Sequence, residues 1–413
     1  MKDAMHPLLS ALRDSAEAFV AIRRDIHRHP ELGFEEHRTS DIVASLLAEW
    51  GYEVERGLGT TGVVGRLRRG SGRRSLGIRA DMDALPMAEA TGLPYASCHP
   101  GVMHACGHDG HTAMLLCAAR HLARHGSFSG TLNLIFQPAE EGLGGAKRMM
   151  EAGLFDKYPC DAVFAMHNVP GTAPGRLLLR QGAAQASADS VTITLAGIGG
   201  HAAFPHNAAD PVVAGASIVM ALQTIVARNV DPLQTAVVTV GAFQAGTVSN
   251  IIPAQAVLRL SVRALDRRVR DQLEQRIRAL VFAQAQSYGV TARIDYARGY
   301  PVLVNTPAET ALAGQVALEL LGPGHVDCQA PPIAASEDFA FMLDEVPGCY
   351  LWIGNGEGAE GGCMVHNPGY DFNDGNIPVG AAYWALLCER FLVDQPWPEH
   401  VEHMENAANA ANA

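Results

Sequence analysis

The chain has 413 residues, 48% of them hydrophobic and 18% charged, with a net charge of -12 at pH 7. That balance supports a sizeable core and two or three domains, and it argues against intrinsic disorder. No basic block or basic–aromatic interleaving marks a nucleic-acid partner, and no run of about 18 apolar residues marks a membrane span.

The opening "MKDAMHPLLSALRDSAEAFV" lacks the long apolar run and small-residue cleavage site of a secretion signal. It reads as an amphipathic helix that continues over about 6–28, followed by a second helix at 39–51. "TGVVGRL" and "SLGIRAD" read as short buried strands, then come a helix at 111–125 and the strand "TLNLIFQ". A helix at about 144–153 leads to the strand "DAVFAMHN". Strands alternating with helices predict an α/β domain with a mostly parallel mixed sheet flanked by helices. In such sheets chemistry collects at the carboxyl ends of the strands, where "RADMDA", "FQPAEEG" and "FAMHN" fall.

The pattern changes near residue 185. "ADSVTITLAG" alternates like a half-exposed strand, a helix follows at about 208–228, and "TAVVTVGAFQAG" and "QAVLRLSVRAL" look like antiparallel partners. A helix at 266–287 and the strand "TARIDYARGY" complete a β-α-β-β-α-β order, which is ferredoxin-like. The α/β pattern resumes at "PVLVNTP". The expected organisation is a discontinuous catalytic domain, 1–186 and 299–398, around an inserted α+β domain at 187–298. The tail 399–413, ending "ENAANAANA", is expected to be disordered. The eight cysteines show no short-spacing framework, so reduced thiols and a cytoplasmic location are expected.

Five positions are candidate metal ligands: Cys106 and His108 in "MHACGHDGH", Glu141 and His167 after predicted strands, and His366 in "MVHNPGYDFND". Cys106 and His108 are two apart, so in extended chain they point the same way. A closed structural zinc site takes four ligands and leaves none over. Five ligands with one shared give two ions three protein ligands each, and a thiolate at Cys106 is the candidate bridge. Two ions a few ångströms apart make a hydrolytic clamp. Glu140, beside Glu141, can take a proton from the attacking water and pass it to a leaving amine. Asp81 and Asp83 follow a buried strand, and Asp83 is assigned to orienting a ligand imidazole. His27, His29, His104 and His111 are left as supporting or surface residues. The rival readings are a dipeptidase or aminopeptidase, and a metal-free cysteine hydrolase using Cys106 with a nearby histidine.

"GIRADMDALPM", "MHACGHDGHTAMLL", "IFQPAEEG", "GIGGHAAFPH", "GTVSNIIPA", "SEDFAFM" and "HNPGYDFND" together resemble the successive motifs of the hippurate hydrolase and N-acyl-amino-acid amidohydrolase family, which includes the plant auxin-conjugate hydrolases. The resemblance runs from about residue 20 to 392. It implies metal ligands at Cys106, His108, Glu141, His167 and His366, Glu140 as the base, and an inserted lid and dimerisation domain. It also implies that His201 reaches across a homodimer to the developing oxyanion, and that Asn250 and Arg263 hold the substrate's α-carboxylate. The implied substrate is a small N-acyl amino acid. The implied cofactors are two divalent ions per subunit, zinc first, with manganese, cobalt and nickel as alternatives. A homo-oligomer larger than the dimer stays open.

Overall fold

The computed structural model describes residues 5–358 and 361–393, so the Asn/Ala-rich tail lies outside the described residues. The chain forms two compact units. The first comprises the chain up to Gly182, Asn305–Ala330 and the chain from Met342 onward. The second comprises Ala183–Val304 and Pro331–Phe341. Of this second unit, the spans 183–186, 299–304 and 331–341 were expected in the catalytic domain. Backbone bonds tie the last of these spans to the first, since Ile333 N–H donates to Ala184 O and Ala186 N–H donates to Ala335 O.

The first unit starts with α1 (Pro7–Asp14), α2 (Glu17–Arg28) and α3 (His37–Glu49). The single helix expected over 6–28 is two, because the backbone turns at Ser15 and Ala16, whose N–H groups bond Leu12 and Arg13 carbonyls. The strands β1 (Glu53–Leu58), β2 (Gly62–Arg69) and β3 (Ser75–Asp81) follow, and then α4 (His108–His125). Next come β4 (Gly130–Gln137), α5 (Gly145–Glu151) and β5 (Ala162–Pro170). The sheet has eight strands in the order β1, β2, β4, β3, β5, Gly348–Gly356, Leu177–Leu178, Val326–Asp327. β3 lies parallel to both β4 and β5, and β5 lies parallel to Gly348–Gly356, while β1 and β2 form an antiparallel edge. The sequence reading missed β1 because "EVERGL" buries only Leu58. Its charges suit an exposed sheet edge.

β3, β4 and β5 are almost continuously buried, as expected of apolar strands covered on both faces. The strongly buried α4 packs on α2, β3 and the helix Asn376–Phe391. This fixes the amino end of α4 above the carboxyl ends of the central strands.

The second unit is a four-stranded antiparallel sheet in the order Ala236–Ala245, Gln255–Ala264, Asp189–Ala196, Thr291–Arg298. The helices Pro211–Asn229 and Arg267–Ser287 pack on it, giving the ferredoxin-like order. Val191, Ile193, Leu195, Leu258, Leu260 and Val262 alternate into its core. Asp210 and Asp266 cap the two helices through the N–H groups of Val212 and Arg268, at 2.8 and 2.7 Å. Among the described residues, Pro211–Asn229 is the one helix long and apolar enough to cross a membrane, and it buries Ala214, Ile218, Leu222 and Ile225 in this core.

Candidate active site

The chemistry-bearing residues of the first unit sit where the sheet's central strands end. β3 delivers Asp81 and, two residues on, Asp83. The loop after β4 carries Glu140 and Glu141, and His167 lies near the end of β5. Cys106 and His108 are not in extended chain as expected. Gly107 between them has φ 90°, and His108 is the first residue of α4. Only glycine fits there, since a Cβ on Gly107 would lie 2.3 Å from Asn168 Nδ2 and 2.5 Å from the Tyr370 hydroxyl. Asn168 Nδ2 donates to Cys106 O at 2.6 Å, and the Tyr370 hydroxyl donates to Asn168 Oδ1 at 2.7 Å.

Five side chains named from the sequence converge. Cys106 Sγ is 3.3 Å from His167 Nε2. Cys106, His108 and Glu141 present ligand atoms within 4.8 Å of one another. Glu141 Oε1 is 3.9 Å from His108 Nε2 and 3.1 Å from His366 Nε2. The His366 backbone has φ 61°, and its N–H is tied to Ala105 O at 2.8 Å. Asp83 joins the groups from below, with Oδ1 3.0 Å from His108 Nδ1 and Oδ2 accepting the Glu141 N–H at 2.9 Å. His108 therefore carries a proton on Nδ1, and the buried Nε2, which makes no hydrogen bond and is turned toward Glu141, is the nitrogen a metal ion would meet in place of a proton.

Asp81 and His111 lie in the same cluster but are committed to each other. His111 Nδ1 meets Asp81 Oδ1 at 2.6 Å, and His111 Nε2 accepts the Asn168 N–H at 3.0 Å. Arg79 holds the second Asp81 oxygen at 2.6 Å. With both ring nitrogens occupied, His111 buttresses the site and has no lone pair to offer.

The electrostatics call for cations. Burial, then the charges of Glu141, Glu140 and Asp81, raise the Cys106 thiol well above its ordinary value. Burial favours neutral His108, yet Asp81, Asp83 and Glu141 push it up to about 10. Burial, then His111, holds His167 well below the usual range and hence neutral. A neutral imidazole, an orphaned imidazole nitrogen, a thiol and crowded carboxylates form a donor set that fits borderline divalent ions.

The remaining named residues belong to the second unit. His201 pairs with Ile251 in a two-stranded ribbon, and Asn250 O accepts the Ala202 N–H at 3.1 Å, so His201 and Asn250 are neighbours. His201 Nδ1 accepts the Ala203 N–H at 3.1 Å, which places the ring proton on Nε2 of this exposed side chain. Arg263 is elsewhere, near the far end of Gln255–Ala264, with Nη1 donating to Ser336 Oγ at 3.0 Å. Asn250 and Arg263 therefore do not pair within one chain.

Two features of the first unit escaped the sequence. Glu36 is fully buried and accepts the Ala139 N–H at 2.8 Å. Burial pushes it up to about 7 against its Thr61 hydrogen bond. Arg23 and His27 on α2 hold Asp109, each at 2.8 Å, in the first turn of α4. A paired "EE" and polar positions on a helix look solvated in a sequence, and no local signal separates the buried member.

The family model described as Peptidase family M20/M25/M40 matches residues 77–390. The chain is 45% identical to a hippurate hydrolase of Campylobacter jejuni, covering 93% of this chain and 99% of that one. It is 37% identical to an N-acetyl-L-cysteine deacetylase of Bacillus subtilis, over 95% and 92% of the two chains. A solved dinuclear metal-binding peptidase of the M20 family from Bacillus subtilis superposes with a TM-score of 0.80 at 32% identity, covering 92% of this chain and 99% of that one.

Proposed function

The chain belongs to Peptidase family M20/M25/M40, and from that premise we propose that it hydrolyses the amide bond of N-acyl amino acids, releasing a carboxylic acid and a free amino acid. It is an amide hydrolase with a metal-ligand cluster. The observation that carries the substrate reading is the convergence of Cys106, His108, Glu141, His167 and His366 beside Glu140, in a chain so similar to a hippurate hydrolase.

In this reading Cys106, His108, Glu141, His167 and His366 hold two divalent ions, zinc first and manganese, cobalt or nickel as alternatives. When bound, such ions polarise the scissile carbonyl and make water acidic enough to attack at neutral pH. Glu140 takes the proton from that water and delivers it to the departing amine. Asp83 fixes the His108 ring and the Glu141 backbone, so the ligands need not reorganise during the reaction. His201, with its proton on Nε2, donates to the developing oxyanion. Arg263 and Asn250 bind the substrate carboxylate, for which the guanidinium fork is suited. The second unit is the dimerisation module, and the enzyme works as a cytoplasmic homodimer.

A metal-free cysteine hydrolase is disfavoured by the site's own charges. Burial and three carboxylates raise the Cys106 thiol, whereas such a nucleophile needs it lowered.

The test is a panel of N-acyl amino acids assayed on metal-replete enzyme, with elemental analysis of the same preparation. About two ions per chain are expected, and chelation should abolish turnover. Full activity without metal would refute the reading. Glu140→Gln should keep both ions and lose on the order of 10²–10⁴ in kcat, and near-normal turnover would place the base elsewhere.

A further inference from the structure

Glu36 occupies the N-cap position of α3, where its backbone carbonyl accepts the Ser40 N–H at 2.9 Å. Its carboxylate does not cap that helix. Glu31 already takes the Arg38 and Thr39 N–H groups, at 2.8 and 2.9 Å. Instead the Glu36 side chain, with no solvent exposure, runs to a different part of the fold. Oε1 accepts the Ala139 N–H at 2.8 Å, and Oε2 is held by the Thr61 hydroxyl.

Ala139 immediately precedes Glu140, and its backbone is left-handed, with φ 53°. A residue with a Cβ resists that conformation, so something must hold it there. The chain before Glu36 closes on the same residue, since a Cβ on Gly33 would lie 3.0 Å from Ala139 Cα. The Ala139 carbonyl accepts the Gly145 N–H at 2.9 Å. Two residues on, the Glu141 N–H is fixed by Asp83 at 2.9 Å. The backbone N–H groups on either side of Glu140 are thus each anchored by a buried carboxylate from a separate segment.

We propose that Glu36 is a positioning residue for the hydrolysis: by accepting the Ala139 N–H it holds the left-handed turn that presents Glu140 to the reacting water. The inference rests on the reading of Glu140 as the base. Glu36 touches neither substrate nor ions and acts through one hydrogen bond. A glutamine can supply that bond with its carbonyl while its amide faces the Thr61 hydroxyl.

The test compares Glu36→Gln and Glu36→Ala in the metal-loaded enzyme, with kcat, KM and ions per chain measured together. Glu36→Gln should stay within about threefold of the parent, because the acceptor is kept. Glu36→Ala should lose on the order of 10–10² in kcat with KM and metal content little changed, as expected for a misplaced base. Adding Ala139→Gly to Glu36→Ala should recover about threefold or more, since glycine adopts positive φ without penalty. In a Glu140→Gln background, Glu36→Ala should cost less than about threefold further, because the residue it positions is already gone. A merely structural role would instead add its full cost. Equal losses in Glu36→Gln and Glu36→Ala, or normal kcat in Glu36→Ala, would overturn the proposal. If Glu36→Ala does not fold, Thr61→Val carries the test by removing the hydroxyl that aims the carboxylate. A loss of about three- to tenfold in kcat at constant metal content supports the role, and an unchanged kcat overturns it. Failure of the Glu140 reading itself would be seen separately, as turnover by Glu140→Gln alone.

Discussion

Whether a histidine can ligate an ion is decided by which ring nitrogen is already engaged. His108 and His111 lie on the same turn of α4, yet the first keeps an unbonded Nε2 and the second spends both nitrogens on Asp81 and Asn168. His108→Ala should therefore lower the ions per chain, while His111→Ala should keep close to the parent's stoichiometry and chiefly lower stability. Elemental analysis of the two purified variants decides this, and loss of metal in His111→Ala would make that residue a ligand. Cys106→Ser should weaken metal retention as well as rate, because it replaces the thiol at the centre of the cluster with a poorer donor. A titration with a chelator of known affinity measures it, and unchanged retention would remove Cys106 from the ligand set. The cluster was legible in "MHACGHDGH" because thiol and imidazole groups are costly to collect without a use. The tautomers were not, since they depend on partners far away in sequence. Nor was Glu36 legible. Its neighbour Glu35 is exposed, and nothing in "GFEEH" says which of the two turns inward.

The register between α2 and α4 depends on charges that a sequence pattern counts as solvated. Arg23 has no solvent exposure, and its guanidinium meets Asp109 at 2.8 Å, Asp371 at 2.6 Å and Asp374 at 3.4 Å. One turn on, His27 bonds Asp109 at 2.8 Å and Glu89 at 3.3 Å. Helical periodicity over about 6–28 covers α2, but it assigns Arg23 no role and leaves His27 as a supporting or surface residue. The partners at 89, 109, 371 and 374 cannot be paired from spacing. Burial lowers the pKa of His27, but Asp109 and Glu89 outweigh it and raise the group to about 9. A cation whose folded pKa is raised contributes stability in full below its unfolded value, about 6.5. That contribution is lost as the pH climbs through about 9. For this largely buried group it is on the order of 3 kcal/mol. The metal-loaded protein should therefore lose more Tm between about pH 6 and pH 9.5 than His27→Gln does. Equal losses in the two proteins would show that His27 is not the group responsible.

The residues of the second unit proposed to meet the substrate lie at opposite ends of its sheet. His201 and Asn250 lie in the ribbon beside the Ala196–Gln255 end of the sheet, whereas Arg263 lies eight residues farther along the strand. Eight residues of extended chain span on the order of 27 Å. The α-carboxylate and the scissile carbonyl of an N-acyl amino acid are only a few bonds apart. A single copy of the unit therefore cannot offer His201 and Arg263 to the same substrate. The alternating pattern that made this sheet legible says nothing of how two copies would meet. Surfaces for such a meeting exist. The strand Ala236–Ala245 is a sheet edge, and Val213, Met220 and Phe243 are exposed on it and on the adjacent helix Pro211–Asn229. If His201 serves the partner's site, His201→Ala should lose roughly 10²–10³ in kcat with metal content unchanged. Mixing His201→Ala subunits with Glu140→Gln subunits then creates heterodimers with one site carrying both lesions and one carrying neither. Activity should recover to about half per heterodimer on site counting. Arg263 would act in its own chain, so mixing Arg263→Ala with Glu140→Gln should restore nothing. After proven subunit exchange, an inactive first mixture would confine His201 to its own chain. Recovery in the second mixture would make Arg263 the residue that crosses.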